Sequence, residues 1–358
     1  MIVVFLALLS SAFITTAGAV ELEDALDIQS LPAALDSEAQ EYMPDISPFS
    51  VPDSGVLSDL FQSVSQRAGE EIASVCKTAG LMLTVCVLVA VSNTLDTGNR
   101  APQYIVFAAV AAIGAAAMTD FDSYLRLSLD CLDRLAEYSQ VIIPVLASAA
   151  AATGAVGSAA AKYGATTMFV DLLLRFARSV IVPCVCGYAA LAIADAAVGN
   201  EALKTAKKMI KTLSTALLSG LSLGFTAWIT LSGIISGAAD SFTSRITKTA
   251  VSAALPVVGG ILSDAAGTLS AAVGTLLSSV GVFGLIAVIC ICLSPMIALG
   301  ARYIAYKLSA VLCQCVSDKR LSVLVEDLGA CFGMLLGLNG AGAIMLFISI
   351  YSLLRTVV

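Results

Sequence analysis

Between Thr249 and Ala301 the chain carries one formal charge, Asp264. About 20 apolar residues are enough for a helix to cross the hydrocarbon of a bilayer, so a stretch this long and this apolar belongs in a membrane. Further candidate spans lie at 78–95, 101–118, 141–161, 179–198, 215–237, 279–300 and 329–353. Composition agrees: 58% of residues are hydrophobic and 13% charged, against roughly 45–50% and 25% in soluble domains. The apolar runs are continuous, without the period-two alternation of barrel strands. The expected fold is all-α: a polytopic helical membrane protein with amphipathic interfacial helices and a re-entrant or broken element.

The net charge of −7 conceals an asymmetry. Residues 20–71 hold 12 acids and one base, Arg67, so this segment is −11 and the remainder +4. The opening "MIVVFLALLSSAFITTAGAVELED" reads as a signal peptide with an A-x-A site at Ala17-Gly18-Ala19, although its start lacks Lys and Arg. A first transmembrane helix is the alternative. Either way the acidic segment should face outward, because cytoplasmic loops are the ones enriched in Lys and Arg. The expected division is a signal peptide at 1–19, an exported acidic head with an amphipathic helix at 20–76, and a membrane domain of six or seven spans at 77–358. Pro32, Pro44, Pro48 and Pro52 suggest that 20–55 is extended.

Two segments are amphipathic. Residues 120–140 put Phe121, Leu125, Leu132 and Leu135 on one helical face and Asp122, Arg126, Asp130, Asp133 and Glu137 on the other. Residues 201–218 carry Lys204, Lys207, Lys208 and Lys211. Such helices commonly lie along the interface, the basic one near anionic headgroups. With the head outside, the lysine cluster falls inside only if 141–161 does not cross, so the positive-inside rule favours six crossings.

The chain has no histidine, which removes the commonest general base and a main metal ligand. It has no phosphate-binding Gly-rich loop and no nucleophile elbow. No catalytic residue, cofactor, metal site or nucleic-acid partner is expected. The pairs Cys184/Cys186, Cys290/Cys292 and Cys313/Cys315 could hold a soft ion. On a regular helix, however, i and i+2 point about 200° apart. Small apolar packing is the competing role.

Glycine spacing is more informative. Gly329, Gly333 and Gly337 recur every fourth residue, and Gly220/Gly224 and Gly233/Gly237 repeat the spacing. Such faces let helix backbones approach closely, within the chain or in a homo-oligomer. Asp171 can pair with Arg175 one turn on, whereas Asp195 and Asp240 sit near span ends where water would solvate them. Asp264 has no base within fifteen positions. Pro256, Gly259, Gly260 and Gly267 interrupt any straight span there, so 250–277 is expected to be broken or re-entrant with Asp264 near its turn. Helix capping, cavity lining and a subunit contact remain open for it.

"LPVVGGILSDAAGTLSAAVGTLLSSVGVFGLIAVI" (255–289) and "YKLSAVLCQCVSDKR" (306–320) resemble the two most recognisable blocks of the stage III sporulation protein AE family. Cys315 stands where that family's pattern would place proline. The resemblance implies a membrane component of the channel or secretion-like complex that joins mother cell and forespore in endospore-forming Firmicutes. It would lie in the mother-cell membrane around the forespore, with its acidic head extracytoplasmic. The implied partners are the other stage III A-operon proteins and stage II protein Q, besides membrane lipids. Pro256, Gly259, Gly260 and Asp264 match the block and are expected to serve a structural turn or conduit. A stand-alone small-molecule permease is the alternative, since transporters also place broken helices and a carboxylate at the midplane.

Overall fold

The computed structural model describes the backbone over residues 30–42, 56–95, 101–254, 259–316 and 318–355, and side chains chiefly over 31–41, 71–92, 104–231, 279–316 and 318–355. Every element in the described residues is helical. Two short helices, α1 (Ser30–Ala33) and α2 (Ser37–Tyr42), precede the long α3 (Val56–Leu95) and α4 (Ala101–Ala152). Helix α5 (Val156–Phe176) runs through a π-turn (Ala177–Ile181) into α6 (Val182–Val198). The chain continues as α7 (Glu201–Ala254), α8 (Gly259–Val316) and α9 (Lys319–Leu354).

Six stretches among the described residues are long and apolar enough to cross a membrane: Glu71–Ser92, Tyr104–Ala152, Val156–Val198, Glu201–Leu231, Ser279–Val316 and Lys319–Leu354. The number is the one the charge rule favours, but the segments differ. Residues 101–118, 120–140 and 141–152 form one continuous helix, α4, which passes straight through Pro144. The break falls at Gly154, whose φ of 97° is left-handed and suits glycine. Residues 141–161 are therefore the end of α4, the turn at Gly154 and the start of α5.

The same continuity corrects the interfacial reading of 120–140. Its apolar face lies in the protein core, with Phe121, Leu132 and Leu135 buried. Its charged face is largely matched by ion pairs. Arg126 meets Asp122 at 3.0 Å, Arg178 meets Asp133 at 2.6 Å, and Arg134 meets Asp130 at 2.6 Å.

Local chemistry explains the turns. Pro183 has no N–H, and its ring would crowd the carbonyl four residues back in a regular helix. The π-turn immediately before it widens the coil there. Gly199, with φ of 70°, closes α6 by donating its N–H to the Asp195 carbonyl at 2.7 Å. The Asn200 side chain then caps α7 by accepting from the Ala202 N–H at 2.9 Å. Asp318 does the same for α9, accepting from the Arg320 N–H at 3.1 Å. These two tight reversals lie at one end of the bundle, for a Cβ placed on Gly199 would sit 3.5 Å from the Arg320 guanidinium carbon.

The α8–α9 hairpin is the spine. A Cβ added to Gly329 would lie 2.8 Å from the Tyr306 Cβ, and one on Gly333 would lie 3.0 Å from the Tyr303 ring. Phe332 gathers three rings around it: Tyr306 at 4.9 Å, Tyr124 at 5.8 Å and Phe121 at 6.3 Å between centroids. At the other end of α9, Leu31, Leu35 and Ala39 of the head are buried in a cluster with Tyr138, Ile142, Ile350 and Leu353. Arg134 holds Asp36 as well as Glu38, the latter at 2.9 Å. Residues 30–42 are therefore docked and largely helical where their proline had suggested extended chain. The four-residue spacing of those three apolar side chains is the signal that the proline masked.

Because the Gly329 backbone lies against Tyr306, Gly329→Val should overpack the hairpin and cost about 1–3 kcal/mol. Thermal unfolding of the detergent-solubilised chain should show a lower midpoint for Gly329→Val, and an unchanged or slightly raised one for Gly80→Ala, where a Cβ meets open space and alanine is the better helix former.

Candidate functional site

Two buried charge clusters flank the α8–α9 hairpin. The first gathers on Lys207. The Gly199-Asn200 turn folds α7 back along α6, so Asp195 and Lys207 face each other although twelve residues apart. Lys207 Nζ donates to Asp195 Oδ2 at 2.8 Å and also to Asp327 Oδ2. The Tyr188 hydroxyl donates to the other Asp327 oxygen at 2.7 Å. Lys207 and Asp195 side chains are 10% and 6% exposed. The expectation that Asp195 is solvated near a span end is thus corrected: it is buried because the turn brings a cation onto it. Lys207 likewise does not lie on the interface but points into the bundle.

The second cluster gathers on Arg302, whose side chain is 5% exposed. Its Nε donates to the Tyr124 hydroxyl at 2.8 Å, Nη2 to Ser74 Oγ at 2.7 Å, and Nη1 to Thr78 Oγ1 at 2.6 Å and Asp120 Oδ2 at 3.1 Å. The Tyr124 hydroxyl in turn donates a hydrogen bond to Glu71 Oε2 at 3.3 Å, and the guanidinium carbon stands 4.9 Å from the Tyr124 ring centroid. One planar fork therefore joins α3, α4 and α8, a task suited to arginine and not to lysine.

A charge taken out of water is expensive unless paired and hydrogen-bonded. Ionisable groups inside a membrane body normally mark a working site or an obligatory contact. Here each cluster joins three helices. Neither contains a nucleophile with a partner base, and no three metal-ligating side chains converge among the described residues.

Between these clusters α7 and α8 diverge over α9 and leave a cleft of about 450 Å³. Lys211, Ser214, Thr215 and Ser219 line one wall, Tyr303 and Lys307 the other, and Gly333 and Gly337 the floor.

The glycines singled out by spacing divide. Gly329 and Gly333 pack inside the chain against α8, and a Cβ on Gly337 would meet Leu218 of α7 at 3.6 Å. Gly224 faces Phe169 at 4.0 Å, while a Cβ on Gly220 would meet open space. Gly233 and Gly237 lie within α7, and their surroundings are outside the described side chains. Pro256 falls outside the described residues; Gly259 and Gly260 open α8 and Asp264 lies in its second turn, their side chains likewise outside. Helices α7 and α8 thus end and begin on either side of 255–258.

All ten cysteines are free thiols. They meet across helices and not within a C-x-C pair: Cys86 of α3 stands 2.7 Å from Cys313 of α8, and Cys131 of α4 contacts Cys292 of α8. Asp171 and Arg175 pair locally at 2.8 Å, as their spacing predicts.

Sequence spacing alone did not single out Arg302, Asp120 or Asp327 as partners. A signal was present for Arg302: it shares a helical face with Leu299, Tyr306 and Cys313, all buried. A charge on an otherwise apolar stripe points inward and needs a partner.

Removing one member should therefore cost more than removing a surface charge. Arg302→Met should destabilise the chain by about 3–5 kcal/mol, because Asp120 loses its cation, and Arg302→Lys should recover only part of that. Unfolding midpoints in detergent check this, with the exposed Arg126→Met expected to stay close to wild type.

The family model described as stage III sporulation protein AE matches residues 50–356 of the 358-residue chain, and the chain belongs to that family. No curated protein and no solved structure matches it.

Proposed function

We propose that this member of the stage III sporulation protein AE family is a non-enzymatic, multi-pass component of the channel or secretion-like complex between mother cell and forespore. The family gives the chain a role in sporulation. The observation that carries the finer reading is that the family match spans all six long apolar helices, together with the buried clusters that tie them. The chain then acts through its membrane body and not through a soluble catalytic domain.

The ends of the bundle support an orientation. Lys204, Lys208, Lys319 and Arg320 surround the two tight reversals at the N-terminal end of α9, whereas the acidic head packs at its C-terminal end. By the positive-inside rule the lysine end lies in the mother-cell cytoplasm and the head lies outside. There the head would meet the extracytoplasmic parts of the other stage III A-operon proteins and stage II protein Q. Pro256, Gly259, Gly260 and Asp264 would form the structural turn or conduit element.

Two measurements test this reading. A fluorescently tagged copy should concentrate in the membrane around the engulfed forespore, and its deletion should arrest development after engulfment. Uniform signal with normal spores would instead favour a stand-alone permease. Asp264→Leu should lower the yield of heat-resistant spores more than Asp264→Asn, because the amide keeps hydrogen-bonding capacity. Capping is already excluded, because Asp264 lies in the second turn of α8 and not before its first residue; full tolerance of Leu would remove the cavity-lining role as well.

A further inference from the structure

The cleft between α7 and α8 combines features that the cross-helix clusters do not use. Its floor is Ala330, Gly333, Met334 and Gly337 of α9, so the absence of side chains at two positions creates its depth. Lys211 and Lys307 stand on opposite walls. Glu326 accepts from Lys307 at 2.8 Å, whereas Lys211 has no carboxylate at ion-pair distance among the described residues. Lys211 also lies in the field of Glu326, so Lys211, Lys307 and Glu326 together carry one positive charge. The hydroxyls of Ser214 and Thr215 donate to carbonyls one turn back, at 2.9 Å each, and leave only lone pairs to the cleft. Lys211, Lys307 and the Tyr303 and Ser219 hydroxyls are then the donors available to a ligand.

The remaining lining is apolar: Ile181, Leu218, Met334 and Leu336. Ile304 and Leu308 on the outer face of α8, beside Tyr303 and Lys307, are more than half exposed. Two ammoniums that share one carboxylate, at the mouth of a groove with a largely apolar interior, on helices that present apolar faces to their surroundings, are complementary to one kind of molecule. We propose that this cleft binds an anionic phospholipid, its monoanionic phosphodiester held between Lys211 and Lys307 and the start of its acyl chains laid along Leu218, Met334 and Leu336. A volume of about 450 Å³ holds a headgroup with its glycerol and first methylenes, within the ordinary range for ligand pockets. Lys211 is about ten residues into α7, roughly 15 Å along its axis. Its long stem can reach towards the headgroup layer while its methylenes stay in apolar surroundings. The inference does not depend on the sporulation role.

The test uses the full chain purified in uncharged detergent. Phosphatidylglycerol and phosphatidylcholine of identical acyl chains are titrated in turn, and retained lipid is counted by native mass spectrometry. Phosphatidylglycerol should bind roughly fivefold more tightly, and Lys211→Gln should remove about that factor, given roughly 1 kcal/mol per basic residue at a lipid surface. Lys319→Gln, an equal loss of charge outside the cleft, should bind as wild type does. Gly337→Leu should weaken binding with every charge intact, because it fills the floor. Equal affinity for the two lipids, equal loss in Lys211→Gln and Lys319→Gln, or undiminished binding in Gly337→Leu would overturn the assignment. Competition by inorganic phosphate as strong as that by phosphatidylglycerol would also overturn it, since the site would then take a free anion.

Discussion

Helix α9 offers a polar atom to nearly every helix that packs on it, and the fold rests on those offers being met. Asp327 takes Lys207 from α7 and Tyr188 from α6. Asn339 donates to Ser128 of α4 at 3.1 Å, and Ser349 accepts from Thr166 of α5 at 2.7 Å. The Ser352 carbonyl receives Lys162 of α5 at 2.6 Å, at the carbonyl-rich end of the helix where a cation is favoured. In a membrane the apolar side chains of two helices gain little by leaving lipid for each other, so close packing and matched polar groups must specify who sits beside whom. An unmatched polar group in such surroundings costs free energy wherever else the helix might dock. The apolar surface makes the chain a membrane body; the polar positions along α9 give each neighbour its register.

The helical class and the apolar segments were readable from hydropathy because that signal depends only on composition over about 20 residues. Register and partner choice were not. The pattern over 120–140 has the same period whether the helix lies at an interface or continues through the bundle. Only the partners distinguish the cases, and Arg178 of the π-turn is 45 residues from its Asp133. Asp195 failed for a similar reason. Position near a span end predicted water, but the Gly199-Asn200 reversal returned a lysine to it.

Where the glycine series was concerned, spacing correctly marked a close approach at Gly329 and Gly333. It could not say that Gly333 and Gly337 would also floor a cleft. That depends on where α7 and α8 part, and divergence between two helices leaves no trace in either sequence. The cysteine pattern was more misleading. C-x-C spacing draws attention to neighbours in the chain, but helical geometry turns them apart, and Cys292 and Cys313 meet cysteines of other helices. Cys313 meets α3 while Cys315 is exposed.

The Arg302 and Lys207 clusters use different residues of the α8–α9 hairpin and hold different flanks, α3 with α4 in one case and α6 with α7 in the other. Mechanically the hairpin is a mast with two sets of stays, cross-tied at the exposed Arg178–Asp133 pair. Slackening one set leaves the other under load, so a flank can tilt without the mast leaving its seat. A body strung in this way can yield on one side to whatever docks there and keep its remaining helices aligned.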